Sequence, residues 1–302
     1  MTTTPKSILA QRIRAGEFIT APGVFDMISA RVADTMGFPA VYMTGSGVVA
    51  SGFGLPDAGI ATYTEMVAHA ARIAGGISTP LIADADTGYG GALNVRHTVR
   101  GYERAGVSAI QIEDQAFPKK CGHVDGQKLV PLEEMLTRIK VAQDCRDSDD
   151  FLIIARTDAR KAVGRDEAML RCEAFAEAGA DILFYEAPAD VDEMREIGRN
   201  FDLPLMANMV EGGATPVLTP AELAEIGYQI AIFPASGFLA MTQVLTNVYQ
   251  GLRDQGSSTA SGAELYAFKD FVKLMGFDEI MEFEARYGYE IKGDTLLFSS
   301  KK

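Results

Sequence analysis

Two patterns of apolar residues alternate along this chain. Longer segments repeat their apolar positions at the spacing of an amphipathic helix, and short runs of apolar, often β-branched residues stand between them. A glycine separates helical pattern and apolar run at four joints, at Gly37, Gly106, Gly179 and Gly227. Glycine readily adopts the left-handed conformation that ends a helix. Each joint is therefore interpreted as the end of a helix that leads into a strand.

The apolar runs predict eight β-strands. Four follow the glycine joints, near residues 41–42, 110–112, 182–184 and 230–232, and four more lie near residues 18–20, 81–83, 152–155 and 205–207. Eight strands that alternate with helices indicate a closed (β/α)8 barrel, the TIM barrel of the α/β class. An open doubly wound sheet usually has a glycine-rich phosphate-binding turn after its first strand, and residues 21–24 do not form one.

Length and charge narrow the class of protein. The 302 residues match a single barrel, so we expect one domain over residues 1–302, with residues 255–302 as a helical extension. The net charge of −13 argues against nucleic acids and anionic membranes as partners, because both bind clusters of basic residues. A small anionic substrate is still compatible with this charge if local cations and a metal reverse the field inside the site.

The cysteines and the apolar segments predict a cytoplasmic location. Three cysteines, an odd number, suit a reducing compartment better than a disulfide framework. The sequence contains no apolar stretch of the length of a membrane span, and residues 1–8 lack the apolar core of a signal peptide. We therefore expect a soluble enzyme.

Polar residues follow the predicted strands where a barrel places its chemistry. In this fold the active site lies at the carboxyl ends of the strands. Charged residues follow five consecutive strands, which solvated loops would seldom produce. The residues at the strand ends are Thr44, Gly45, Ser46, Asp84, Asp86, Glu113, Arg156, Glu186, Asn208, Glu211 and Ser236. We expect the active site among them.

Two aspartates at the third strand end suggest a site for a hard cation. Alternation along a strand would direct Asp84 and Asp86 to the same side. Magnesium takes one or two protein carboxylates and leaves its other positions to water and substrate, whereas calcium requires more oxygens. Manganese is the alternative metal. The competing interpretation is a pair of solvated aspartates in a turn that Gly88 and Gly90 favour.

A thiol, an imidazole and two ammonium groups lie together at Lys119, Lys120, Cys121 and His123. Neighbouring cations lower the pKa of a cysteine, so this thiol is suited to exchange a proton near neutral pH. A plain solvated loop is the alternative interpretation.

These segments carry a resemblance to a known group of enzymes. The chain resembles the isocitrate lyase and phosphoenolpyruvate mutase superfamily over almost its whole length, and within it the branch of methylisocitrate and dimethylmalate lyases. The most specific matches are residues 84–90, 119–123, 155–159 and 208–216. The resemblance implies a required magnesium ion and a homotetramer built from dimers that exchange the last helix of the barrel.

The exchanged helix would correspond to residues 263–283, whose apolar positions have helical spacing. The alternative is an ordinary terminal helix that packs on its own barrel. Periodicity alone does not separate these two arrangements.

The resemblance also implies roles for individual residues. Magnesium would lie among Asp57, Asp84 and Asp86, with Glu113 supporting them. The expected substrate-binding residues are Tyr42, Thr44, Gly45, Ser46, Arg156, Asn208, Glu211 and Ser236. Glu186 would lie near the substrate, Cys121 would act as general acid, and a mobile lid would contain Lys119, Lys120 and His123. Gly122 is expected to give that lid its freedom.

The implied activity is that of a magnesium-dependent carbon–carbon lyase. It would cleave a 2-hydroxy di- or tricarboxylate, an alkylated malate or methylisocitrate, into a 2-oxo acid and a second carboxylate by retro-aldol chemistry. Hydrolysis or decarboxylation of oxaloacetate is the alternative, with the Ser236 hydroxyl steering towards hydrolysis. A phosphonomutase acting on phosphoenolpyruvate or carboxyphosphonoenolpyruvate is less favoured, because the phosphoenolpyruvate mutases of the superfamily lack the Cys-Gly-His loop.

Two departures from the methylisocitrate lyase pattern affect the substrate. Lys120 stands where those enzymes commonly have arginine, and Glu211-Gly212-Gly213 replaces their Glu-Phe-Gly. Lysine is a point charge without the bidentate geometry of a guanidinium, which weakens the grip on a third carboxylate. A smaller alkylated malate therefore fits the sequence at least as well as a tricarboxylate.

Overall fold

The computed structural model describes residues 4–122, 124–287, 289–292 and 295–298. His123, a predicted lid residue, lies outside the described residues. The chain forms two compact units, of which the first ends at Met241 and the second begins at Thr242.

The first unit contains the eight predicted strands. They are β1 Ile19–Val24, β2 Val41–Met43, β3 Leu81–Asp84, β4 Ala109–Glu113, β5 Leu152–Thr157, β6 Ile182–Tyr185, β7 Met206–Asn208 and β8 Ile230–Phe233. All pair in parallel in the order β6-β5-β4-β3-β2-β1-β8-β7. A parallel bridge between Leu183 and Leu205 joins the two ends of this order and closes the barrel. The prediction of a (β/α)8 barrel is confirmed.

Helices separate the strands as the apolar spacing predicted. They are α1 Pro5–Arg14, α2 Met27–Asp34, α3 Gly45–Phe53, α4 Tyr63–Gly76, α5 Ala92–Arg104, α6 Leu132–Cys145, α7 Ala159–Ala162, α8 Arg165–Glu177, α9 Val191–Asn200, α10 Pro220–Glu225 and α11 Ser236–Gln255. Thr62 and Thr219 begin two of them with capping boxes, in which side chain and backbone satisfy each other's hydrogen bonds. Gly106 and Gly179 are left-handed, with φ of +89° and +94°, as the joints required.

Two layers of apolar side chains hold the barrel together. One lies between the strands and the surrounding helices, and the other fills the barrel interior. Leu9, Ala10 and Ile13 of α1 belong to the interior cluster, and Gln229, next to the start of β8, donates to the Ile13 carbonyl. Helix α1 thus covers the amino ends of the strands, which leaves chemistry to the opposite end.

The second unit contains a 3-10 turn at Thr259–Ser261, α12 Phe268–Leu274, α13 Phe277–Tyr287 and an antiparallel pair of strands, β9 Tyr289–Lys292 and β10 Thr295–Phe298. The prediction of one helix over residues 263–283 was therefore wrong. Gly276 is left-handed at a φ of +87° and separates α12 from α13. Among the residues that the structure describes, no helix is long and apolar enough to cross a membrane.

Candidate active site

A cavity of about 250 Å³ lies at the carboxyl ends of the strands. The predicted site residues that line it are Tyr42, Thr44, Ser46, Asp57, Asp84, Glu113, Lys119, Cys121, Arg156, Asn208 and Glu211. The strand ends of the barrel and the loop after β4 therefore meet as expected. Gly45, Asp86, Lys120, Glu186 and Ser236 are not among the residues that line this cavity, so their positions are described separately below.

Lys119 is buried among the predicted metal-binding carboxylates. Its Nζ lies 2.6 Å from Asp57 Oδ1 and 2.7 Å from Asp86 Oδ1. Burial alone would lower the pKa of Lys119, but the facing carboxylates of Asp86 and Glu113 raise that pKa well above its ordinary value. Burial raises the pKa of Asp86 to about 6, and the charge of Lys119 opposes that increase. The loop after β4 thus places a fixed positive charge beside the acids.

Asp84 and Asp86 approach each other in a different way from the one predicted. Strand β3 ends at Asp84, and Asp86 lies beyond it in a left-handed conformation with φ of +49°. The Asp86 backbone N–H donates to Asp84 Oδ1 at 2.9 Å. A turn, not strand alternation, therefore brings the two carboxylates together, and the prediction of alternation was wrong.

The acids provide a donor set that fits magnesium. Within the described part of the chain, no three His, Cys, Asp or Glu side chains form a ready-made metal cage. Glu113 Oε1 is buried and has no hydrogen-bond partner among the described residues, and burial raises the pKa of Glu113 well above its ordinary value. A buried carboxylate oxygen in this state is stabilised by a cation. Magnesium needs only one or two direct carboxylates, so the arrangement suits it.

Tyr42 and Asp84 are linked below the cavity by Gln111. The Tyr42 hydroxyl donates to Gln111 Oε1 at 2.7 Å, and Gln111 Nε2 donates to Asp84 Oδ1 at 3.5 Å. Burial raises the pKa of Tyr42 well above its ordinary value, so its hydroxyl keeps its proton.

Thr44 caps the amino end of α3, where its Oγ1 accepts from the Gly47 N–H at 3.3 Å. A helix amino terminus presents backbone N–H groups and a partial positive charge, which suits a carboxylate. At Gly45, a Cβ would lie 2.5 Å from Asp84 Oδ2. Gly45 therefore lets Asp84, a predicted metal ligand, approach the helix.

Arg156, at the end of β5, is the second buried cation of the cavity. Its Nε and Nη2 donate to the two carboxylate oxygens of Asp158 at 3.1 and 2.8 Å. Its Nη1 lies 3.4 Å from Glu186 Oε2, and Asn208 Nδ2 donates to the same carboxylate. Glu186 therefore acts on the cavity through Arg156 and Asn208.

The backbone around Arg156 is fixed by a buried acid that the sequence interpretation missed. Asp114 accepts from Thr157 Oγ1 at 2.7 Å, from the Asp158 N–H at 3.0 Å and from Arg171 Nη1 at 3.1 Å. Burial raises the pKa of Asp114 to about 6, and the charge of Asp158 adds to that increase. In the sequence, only the position of Asp114 directly after Glu113 at the end of β4 indicated that it belongs near the site.

Gly122 packs directly on Arg156. A Cβ at this position would lie 2.2 Å from Arg156 Nη2 and 3.0 Å from Asp158 Oδ1. This close approach explains glycine at this position, and the freedom that Gly122 is expected to give a lid stays a prediction.

Two predicted residues point elsewhere. The Lys120 side chain is exposed, and its Nζ donates to the Asp125 carbonyl at 3.4 Å. The Ser236 hydroxyl donates to Glu211 Oε1. The structure brings neither group to the cavity surface.

Apolar residues also line the cavity, and the sequence prediction gave none of them a role in the site. They are Val210, Ile232, Pro234, Ala235, Phe238 and Leu239. They lie at and after the ends of β7 and β8, where the sequence prediction assigned roles to Asn208, Glu211 and Ser236 alone. The cavity lining thus combines charged and apolar side chains.

The model of the phosphoenolpyruvate phosphomutase family matches residues 9–253, which include every residue of this cavity. The chain belongs to this family. Two similar relatives are lyases by name. The chain is 46% identical to 2,3-dimethylmalate lyase of Eubacterium barkeri, over 90% of this chain and 94% of the relative. It is 40% identical to 2-methylisocitrate lyase of Aeropyrum pernix, over 91% of this chain and 88% of the relative.

Solved structures of the family have the same fold. Oxaloacetate acetylhydrolase in complex with 3,3-difluorooxalacetate matches with a TM-score of 0.90 and 34% identity, over 96% of this chain and 99% of that one. Phosphonopyruvate hydrolase in complex with oxalate and Mg²⁺ matches with a TM-score of 0.84 and 32% identity, over 94% and 99%. The family to which this chain belongs therefore includes a magnesium-binding member with a small carboxylate in the same structure.

Proposed function

We propose that this protein is a magnesium-dependent carbon–carbon lyase that cleaves a 2-hydroxy dicarboxylate or tricarboxylate into a 2-oxo acid and a second carboxylate. The observation that carries the proposal is the shared cavity: Cys121 lines the same space as Asp84, Glu113 and Arg156. A proton donor, acids for a cation and a cation for a carboxylate are what a retro-aldol cleavage requires. The lyase names of the two relatives support it.

Asp57, Asp84 and Asp86 would hold the magnesium ion, with support from Glu113, and manganese is the alternative. When bound, magnesium supplies electrostatic stabilisation of the negative charge that develops on the substrate oxygens. The unpartnered Oε1 of Glu113 supports this assignment, as does the magnesium complex of phosphonopyruvate hydrolase.

The residues around the cavity would orient the substrate. Arg156 and the amino end of α3, at Thr44, Gly45 and Ser46, would bind one carboxylate, because both present positive charge to the same space. Asn208 and Glu211 would contact the other end, and Tyr42, which donates its hydroxyl hydrogen to Gln111, would contact the substrate through its hydroxyl oxygen. Ser236 would act on the substrate through its hydrogen bond to Glu211.

Cys121 would provide the proton for the leaving fragment. The substrate 2-hydroxyl would give its proton to a carboxylate of the cavity as the C2–C3 bond breaks and C2 becomes the carbonyl carbon of the 2-oxo acid. The electron pair of that bond would pass to C3 of the departing carboxylate, Cys121 Sγ–H would protonate C3, and the thiolate would regain a proton from solvent after product release. Lys119, which pairs with Asp57 and Asp86, would join the thiol loop to the metal site. Lys120 and His123 remain proposed lid residues that limit access of water.

The apolar residues of the cavity lining favour an alkylated malate over methylisocitrate. Among the described residues that line the cavity, the cations are Lys119 and Arg156, and both face acids of the protein. A third substrate carboxylate would meet no further cation among these described lining residues, so its burial would not be compensated. An alkyl group, by contrast, loses no hydrogen bond when it is buried against the apolar lining residues.

Hydrolysis of oxaloacetate is the second candidate, supported by the similarity to oxaloacetate acetylhydrolase. Decarboxylation of oxaloacetate would use the same cavity. The hydroxyl that was expected to steer towards hydrolysis belongs to Ser236, which is bound to Glu211 outside the cavity surface. This placement favours the lyase. A phosphonomutase activity is the least favoured of the alternatives.

A substrate panel tests the proposal. Purified protein is incubated with 2,3-dimethylmalate, methylisocitrate, isocitrate and oxaloacetate, with magnesium and then with excess chelator, and the products are identified by mass spectrometry. We expect a 2-oxo acid from the alkylated malate, lost with chelator and restored by added magnesium. Turnover of oxaloacetate alone would support hydrolysis or decarboxylation instead. No metal-dependent turnover of any compound would reject the enzyme assignment.

We also propose a homotetramer in which residues 263–283 are exchanged between subunits, and a cytoplasmic location. The support for exchange is that neither α12 nor α13 has a buried residue, while Phe268, Phe277 and Phe283 are 80%, 49% and 58% exposed. Exposed aromatic side chains in such number are typical of an interface. Among the described residues, Cys121, Cys145 and Cys172 form no disulfide bond with one another, which suits a reducing compartment.

A further inference from the structure

The loop that carries Cys121 is closed at its base by backbone hydrogen bonds. Gln115 and Leu129 form an antiparallel bridge, and the Ala116 N–H donates to the Lys128 carbonyl. The Val130 N–H donates to the Asp114 carbonyl at 2.9 Å. The two ends of the loop are therefore joined to the end of β4, and the position of the thiol depends on what holds the turn between them.

Two glutamine side chains hold that turn. Gln115 Oε1 accepts from the Lys120 N–H at 2.9 Å, and Gln115 Nε2 donates to the Lys120 carbonyl at 2.8 Å. Gln127 Nε2 donates to the carbonyls of Cys121 at 3.1 Å and Gly122 at 3.0 Å, and also to the Val124 carbonyl. The two N–H groups of this amide thus serve three carbonyls of the thiol-bearing turn, so at least one N–H is shared between two of them.

We infer that Gln127 is a positioning residue that fixes the Cys121 thiol in the cavity by binding the carbonyls of its turn. The inference rests on the proposed function only in that Cys121 is taken as the proton donor. The Gln127 side chain is buried, with 9% of the residue exposed, and its hydrogen bonds to described residues all end within this loop. Its role is therefore local to the thiol-bearing turn.

The geometry on the opposite side of the turn shows why a small shift matters. The Cys121 N–H donates to the Asp57 carbonyl at 3.1 Å, and Gly122 packs on Arg156. The turn is thus held by Gln127 on one side, and by the Asp57 carbonyl and Arg156 on the other. Without this donor, the three carbonyl oxygens would repel one another and would need hydrogen bonds from water. The turn should therefore open towards solvent. A displacement of about 1 Å at a reacting group can reduce a rate about 100-fold.

Three variants test this role. Gln127→Leu keeps the size of the side chain and removes the donor, whereas Gln127→Lys supplies an ammonium that can donate to the same carbonyls. Gln143→Leu is the matched control, because Gln143 Nε2 donates to the Gly179 carbonyl and to Asp181 at the far side of α6, away from the cavity. We expect kcat to fall by about tenfold or more in Gln127→Leu with KM nearly unchanged. Gln127→Lys should recover most of that loss, and Gln143→Leu should keep the original kcat.

A second measurement does not depend on activity. The rate at which iodoacetamide alkylates Cys121 is followed by peptide mass spectrometry, with Cys145 as internal reference because it too is partly exposed. We expect Cys121 to react several-fold faster in Gln127→Leu, at an unchanged Cys145 rate, and at the original rate in Gln127→Lys.

An unchanged alkylation rate of Cys121 in Gln127→Leu would overturn the inference, as would an equal loss of kcat in Gln143→Leu. A Cys121→Ser variant separates the two claims. If it keeps full activity, the proposed role of the thiol fails, while the alkylation rates still decide whether Gln127 positions the turn.

Discussion

Gly122 and Arg156 are so close together that the side chain at one position decides the geometry of the other. The space above the guanidinium is filled by the backbone of the thiol-bearing turn, and no room remains for a methyl group. Arg156 and the turn that carries Cys121, the proposed substrate-binding and proton-donating groups, are therefore parts of one packed unit.

The first prediction concerns Gly122→Ala. The added methyl group would lie 2.2 Å from Arg156 Nη2, so the guanidinium or the turn must move. We expect kcat/KM to fall about 100-fold, because both substrate binding and proton transfer are displaced. Gly52→Ala is the control, since a Cβ there has no neighbour within 4 Å. Steady-state kinetics on both variants checks this, and equal effects of the two substitutions would contradict it.

The sequence predicted best which polar residues belong to the site. Polar residues after consecutive strands identified Asp84, Glu113 and Arg156, all of which line the cavity. Contacts between loops were not predictable, because they depend on the path of the chain between strands. The ion pairs of Lys119 with Asp57 and Asp86 and the turn that contains Asp86 belong to this class.

At the scale of elements, the barrel was predictable because each strand is short, apolar and preceded by a helix. Every predicted strand is present, and its first and last residues differ from the predicted ones by at most four positions. The region after α11 was not predictable in the same way. A helix can tolerate a glycine within its apolar pattern, so the sequence did not show that Gly276 ends α12. The strands β9 and β10 are short and have no periodic pattern of apolar residues.

The amino end of α9 gives a prediction about stability. Glu193 Oε1 accepts from Arg160 Nε and from the Tyr185 hydroxyl, both at 2.6 Å, and Oε2 accepts from the Ala189 N–H at 2.7 Å. Burial would raise the pKa of Glu193, but these bonds lower it below its ordinary value. We expect Glu193→Gln to reduce the free energy of unfolding by about 1.5 to 3 kcal/mol at neutral pH, as for a lost charge-assisted hydrogen bond.

The pH dependence of that difference has a defined sign. Since the folded pKa is below the unfolded one, the carboxylate stabilises the fold above its unfolded pKa of about 4.3 and loses this effect as the pH falls below that value. Urea unfolding of the original protein and of Glu193→Gln, at neutral and at acidic pH, measures the difference in their free energies of unfolding. Glu196→Gln, which removes an exposed ion pair with Arg165, is the control and should cost less than about 1 kcal/mol. A difference that grows towards acidic pH would contradict the account.

At the scale of the whole molecule, α12 and α13 expose apolar side chains that a water-soluble monomer would be expected to bury. A partner subunit that exchanges this segment would cover them. Charge alone gives no such information, since a net charge of −13 is compatible with any assembly state.

The assembly prediction follows. We expect sedimentation equilibrium to give the mass of a tetramer, and Phe277→Asp combined with Phe283→Asp to shift it to smaller species, because charged side chains oppose burial in an apolar interface. Lys140→Glu combined with Asp144→Lys on exposed positions of α6 is the control and should leave the mass unchanged. A monomeric protein of full activity would remove the basis for exchange.

The central claim is that a thiol delivers the proton inside a magnesium-binding cavity. Its most direct test is the rate at which Cys121→Ser forms the 2-oxo acid from an alkylated malate in the presence of magnesium, with Cys145→Ser as control. The account predicts a loss of about 100- to 10,000-fold for Cys121→Ser, as for removal of a general acid, and an unchanged rate for the control. A Cys121→Ser variant with the same rate as the original protein would contradict it.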